Sequence, residues 1–87
     1  MRMAGTLGEL TAGGRWVATL GIWTARLNDE GGVIKAALTE ANAFWLHSLT
    51  QTNVALGVGK QLWTWRDAEI ESVTDREIQL RVKERHG

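Results

Sequence analysis

Leu38-Thr39-Glu40-Ala41-Asn42-Ala43-Phe44-Trp45-Leu46-His47-Ser48-Leu49 is the stretch on which the fold turns. Two structures compete for it. Ile34, Ala37, Leu38, Ala41, Trp45 and Leu49 recur at helical spacing, and Ala36, Ala37, Ala41 and Ala43 favour a helix. A helix here would make the chain an α+β domain. Against it, Phe44, Trp45 and Leu46 are consecutive and bulky, so they would surround a helix rather than stripe it. Gly31-Gly32 is also a poor pair to cap one. As strands, Ala43, Trp45, His47 and Leu49 alternate with Phe44, Leu46 and Ser48. The reading adopted is two strand ends about a reversal at Ala41-Asn42.

The flanks favour strands. Arg15 to Leu27 interleaves Trp16, Ala18, Leu20 and Ile22 with Val17, Thr19, Gly21, Trp23, Ala25 and Leu27, a long strand apolar on both faces. Gly21 in its middle predicts a bulge or bend. Asn28-Asp29-Glu30-Gly31-Gly32 is a turn, and Val33 to Leu38 completes a hairpin. Gln51-Thr52-Asn53 is polar and turn-like. Beyond it, Val54 to Val58, Gln61 to Arg66, Ala68 to Val73 and Arg76 to Lys83 alternate as strands. Gly59-Lys60, Asp67 and Thr74-Asp75 separate them. No internal repeat, linker or low-complexity tract is visible. Strands this closely spaced predict a closed or nearly closed barrel. Leu7 and Leu10 suit one short N-terminal helix ended by Gly13-Gly14, with an extended arm as the alternative.

A chain of 87 residues makes one domain with a thin core. It has no Cys, which removes disulfides and the usual structural zinc sites and leaves self-association as a stabiliser. Charge balances to zero, which argues against a general nucleic-acid clamp. Nothing resembles a signal peptide or membrane span, so the cytoplasm is expected. Five Trp in so small a chain exceed what one copy readily buries, which predicts a homo-oligomer.

With strands in this order the middle of the chain, roughly residues 16 to 74, resembles the Sm-like (LSm) family. The first motif corresponds to Gly31-Gly32 followed by Leu38 to Leu46, with Asn42 where the family has Asp, Phe44 where it places a base-stacking ring, and Leu46 where it prefers Asn. The second corresponds to Leu62 to Val73, with Arg66 at the motif's Arg, Asp67 in place of Gly, and Ile70 and Val73 as apolar anchors. The resemblance implies an all-β, strongly bent SH3-like or Sm-like barrel of five to six antiparallel strands. Residues 1–14 would be an arm or short helix, 15–74 the barrel, and 75–87 an additional strand and tail. It also implies a ring of identical copies and binding of single-stranded RNA.

Candidate sites follow. Phe44 and Arg66 could sandwich a base, with Asn42 orienting the Arg or bonding a base edge. The plainer account makes Phe44 core, Arg66 a solvated strand end and Asn42 a turn residue. Trp63 and Trp65, with Ile70 and Val73, are candidates for core plus oligomer interface. Arg81, Lys83 and Arg85 share one face of the last strand and guard an edge or meet phosphate. His47 and His86 lack partners for a metal set, and no catalytic constellation or cofactor motif presents itself. The expectation is a non-enzymatic protein that binds itself and single-stranded RNA. The alternative is a structural or assembly module, as in a phage particle or mobile element, that does not bind RNA.

Overall fold

The computed structural model describes residues 2–5, 7–28, 30–39, 46, 48–58, 60–74 and 76–83, without the side chains of residues 2 and 3. Seven strands run in order: β1 (Arg2–Gly5), β2 (Leu7–Ala12), β3 (Arg15–Asn28), β4 (Gly31–Leu38), β5 (Gln51–Val58), β6 (Gln61–Val73) and β7 (Glu77–Val82). Among the described residues there is no α-helix, and none long and apolar enough to cross a membrane. Every pairing is antiparallel. The sheet closes in the order β3-β2-β5-β6-β7-β4, with β4 back on β3, and β1 extends along β3 beyond β2.

The all-β barrel expected from the alternation is therefore present, with corrections at its ends. The N-terminal segment is neither arm nor helix: its residues form β1 and β2, and β2 is a stave of the barrel. Leu7 and Leu10 satisfy a helical spacing, but Gly8 and Leu10 point inward while Leu7 and Glu9 point out, a period of two. The last strand is likewise no addition, since β7 lies between β4 and β6 and completes closure. Gln51 to Asn53 belong to β5.

The deciding stretch is only partly described. Leu38 ends β4, and residues 40–45 and 47 lie outside the described residues. Leu46 and Ser48 sit in a 3-10 turn, with the Leu49 N–H donating to the Leu46 carbonyl at 3.0 Å. This corrects the strand expected through Leu49. Leu46 is fully buried and Leu49 packs on the core, so two apolar anchors pull a tight turn against the barrel.

The registers also reveal a repeat that the residues do not. The chain is two three-stranded meanders, β2-β3-β4 and β5-β6-β7, joined by residues 39–50. Glu9 pairs with Ala55 across β2–β5, and Ile34 pairs with Leu80 across β4–β7. In both pairs the partners are 46 positions apart, so an approximate twofold axis runs through the two seams. The same offset carries the hairpin pair Ala12–Arg15 onto Val58–Gln61, and the start of β4 at Gly31 onto the start of β7 at Glu77. It also relates the turns: the Asn28 Oδ1 accepts from the Glu30 N–H at 2.8 Å, and the Thr74 Oγ1 from the Arg76 N–H at 3.2 Å.

Trp23 and Trp65 fill the barrel, packed among Ala18, Ala25, Ala36 and Ala68. Large rings opposite small residues suit a narrow barrel. Gly5 is required beside Trp23, because a Cβ there would stand 2.5 Å from the indole ring. Neither the Trp23 nor the Trp65 indole N–H has a hydrogen-bond partner among the described residues.

Candidate functional site

Of the proposed RNA-binding trio, Asn42 and Phe44 lie outside the described residues. Arg66 is exposed on β6, where Trp65 pairs with Val54 and Ala68 with Thr52, so Arg66 and Asp67 together oppose Asn53 in a bulge. Asp67 takes a left-handed backbone, φ 56°, and its N–H donates to the Asn53 Oδ1 at 3.1 Å. The bulge turns Arg66 outward beside Thr64, away from the core.

The proposed interface residues are largely consumed by the barrel. Trp65 and Val73 are buried, and Trp63 and Ile70 are half-buried against the core. The apolar surface left free is elsewhere. Leu7, Trp16, Ile22 and Leu62 are each more than half exposed, at 61%, 54%, 73% and 70%.

Three of these share a face. The outward positions of β3, β2, β5 and β6 place Trp16 and Thr19 beside Leu7, Glu9 and Thr11, then Asn53, Ala55 and Gly57, then Leu62 and Thr64. Glu9 lies at the middle of that set, and the outward Arg66 of the bulge borders it beside Thr64 and Asn53. Between Leu7 and Leu62, Gly57 and Ala55 leave a groove of about 420 Å³ that Thr19 and Glu9 border. Trp16 and Leu62 are equivalent under the 46-residue offset, one on each side of the axis.

The opposite side is charged. Thr24, Arg26, Asn28, Gly32, Val33, Lys35 and Arg81 line a groove of about 590 Å³ over β3, β4 and β7. Arg81 pairs with the Glu71 carboxylate, which also accepts from the Gln79 amide at 2.7 Å. The Gln79 hydrogen bond and then Arg81 hold the Glu71 carboxyl below the ordinary glutamate range, against a small opposing desolvation. Arg26 and Lys35 were not singled out from the sequence. Their signal was the Asn28–Gly31 turn, whose register sets Arg26 opposite Val33 and Lys35 opposite Thr24 on one face. Lys83 is exposed beyond β7, and Arg85 lies outside the described residues.

Among the described residues no group of three or more His, Cys, Asp or Glu comes together to hold a metal ion. Comparison with protein families, with curated proteins and with solved structures finds no match for this chain.

Proposed function

We propose that this protein is a non-enzymatic assembly module whose barrel joins a second copy through the outer face of β3, β2, β5 and β6. The carrying observation is that this face exposes three large apolar side chains, Leu7, Trp16 and Leu62, around Glu9, with Arg66 at its border. Large exposed apolar side chains gathered on one face mark a surface that is covered in use. The face carries its own complement: projecting Leu7 and Leu62 lie beside a groove floored by Ala55 and Gly57. Knob and hollow on one patch suit an isologous contact, in which each copy fills the other. Every strand of the barrel has a neighbour on both sides, so among the described residues only β1 offers a strand edge for joining copies. Face packing needs no free edge.

Sedimentation equilibrium tests this. The wild type is expected to dimerise at micromolar concentration and Leu62→Glu to be monomeric with an unchanged far-UV circular dichroism spectrum. Leu62 is exposed, so the substitution leaves the core intact. A wild-type monomer at high micromolar concentration refutes the reading. The RNA contact implied by the Sm-like resemblance is a second proposal, for which the outward Arg66 at the bulge is the support. Fluorescence anisotropy with short A-rich and U-rich RNAs at low salt decides it, and absence of binding by a folded sample removes it.

A further inference from the structure

The charged groove on the far side of the barrel plays no part in that assembly. Arg26 and Lys35 are diagonal neighbours across β3 and β4, at positions that lie about 7 Å apart on one face of a sheet. The approximate twofold axis supplies an internal comparison. Ala25 pairs with Ile34 as Ile70 pairs with Leu80, and Thr24 with Lys35 as Glu69 with Arg81. The pair Arg26–Val33 maps onto Ser72–Gln79, and a bulge in β6 sets Glu71 beside Ser72 opposite Gln79, so Glu71 shares the place of Arg26 while Arg81 takes that of Lys35. In the second half these positions form an ion pair. In the first half both are cations, and among the described residues neither meets a carboxylate. Like charges this close on one face repel each other, and an anion between them would turn that repulsion into two attractions.

We propose that this groove binds a small molecule through a dianionic phosphoryl group. The Arg26 guanidinium offers a planar fork and the Lys35 ammonium a point charge, the pairing that recognises phosphate. Arg81 at the rim is already neutralised by Glu71, so the uncompensated charge comes from two cations and matches a phosphoryl dianion better than a single carboxylate. The Thr24 hydroxyl is a further donor in the lining. The Asn28 Oδ1 is occupied by the Glu30 N–H, which turns its amide NH₂ to donor duty. Gly32 lets β4 run close against β3 beneath the groove, since a Cβ there would collide with the Arg26 carbonyl. Among the described residues no aromatic side chain lines the groove, so a strand of bases would find none there to stack on. Its volume falls in the range of small-ligand sites.

The test is an amide NMR titration with inorganic phosphate, pyrophosphate and a sugar phosphate, against acetate at matched ionic strength. Saturable shifts are expected in β3 and β4 around the groove with the phosphoryl probes and not with acetate. The three probes separate free phosphate from an esterified group. Arg26→Glu rebuilds in the first half the ion pair that the second half already has. It should fold, melt at or above the wild-type temperature, and bind the best probe roughly tenfold to a hundredfold more weakly, the loss of a charge-assisted hydrogen bond. Lys35→Gln carries the same affinity test should Arg26→Glu fail to fold. Wild-type shifts no larger than those in acetate overturn the proposal. So does undiminished binding by a folded variant, or a single-stranded RNA that occupies the groove more tightly than every small probe.

Discussion

Asp67 carries the clearest single-residue cost in the barrel. It is the only described non-glycine residue with positive φ, and it holds the bulge that turns Arg66 outward. A side chain in the left-handed region costs about 1 kcal/mol, less for Asp than for bulkier residues. The hydrogen bond that fixes the bulge uses the backbone N–H of Asp67, not its carboxylate. Asp67→Gly therefore relieves the strain and keeps the bond. It is expected to stabilise the protein by about 0.5 to 1 kcal/mol, read as a higher midpoint in urea denaturation at unchanged slope. A loss of stability would mean that the Asp67 side chain holds the bulge itself. The sequence marked Asp67 as an interruption between two strands, whereas the structure runs β6 unbroken through it. Alternation alone cannot tell a strand break from a bulge, because each shifts the inward set by one residue.

The elements most legible in the sequence were those whose period and turn chemistry agree. The long β3, the hairpin at Asn28 to Gly31 and the amphipathic β7 follow from alternation bounded by Asx, Thr and Gly residues. The least legible were β1 and β2, where glycines dilute the pattern, and the connection ending at Leu49, where apolar anchors hold a turn and not a strand. Of the candidate site, periodicity gives Arg66 as a strand residue for a base or for solvent and Arg81 on the charged face of the last strand, but the Arg26–Lys35 pair depends on a cross-strand register that periodicity does not give. Turn chemistry itself can be tested at Thr74. Its Oγ1 accepts from the N–H groups of Arg76 at 3.2 Å and Glu77 at 3.0 Å, the second of these being the first residue of β7. Thr74→Ala is expected to cost about 1 kcal/mol in chemical denaturation, and Thr74→Ser to recover most of it, since the hydroxyl alone supplies the bond. Equal losses in both variants would place the contribution in the methyl group instead.

At the scale of the molecule, the twofold arrangement escaped the sequence for a physical reason. At the 46-residue offset only Thr6 and Thr52, Leu10 and Leu56, Gly13 and Gly59, and Asp29 and Asp75 are identical. A barrel asks its two halves for matched inward volume, not for matched residues. Trp23 lies in one half and Trp65 in the other, in one core cluster whose alanines come from both. Bulges also fall at different places, beside Leu10 in the first half and beside Thr52 in the second, so part of β3 and β6 slips by one position. The registers preserve what the residues lost, and they make a prediction about connectivity. In a twofold barrel, the link from the first meander to the second is equivalent to a link from the end of the second back to the start of the first. Arg2 faces Arg26, Arg26 faces Val33, and Val33 faces Arg81, so the chain ends are three strands apart. Three strand spacings come to about 14 Å. Met1, residues 84–87 and two or three added glycines reach that distance with slack. A circular permutant closed by that link and opened within residues 40–45, ahead of the buried Leu46, keeps both meanders and both seams. Loop-closure entropy changes slowly with length, so its stability should fall by less than roughly 2 kcal/mol. Its far-UV circular dichroism and Trp emission should match the parent. A permutant that fails to fold would show that residues 39–50 guide the pairing of the halves, beyond merely tethering them.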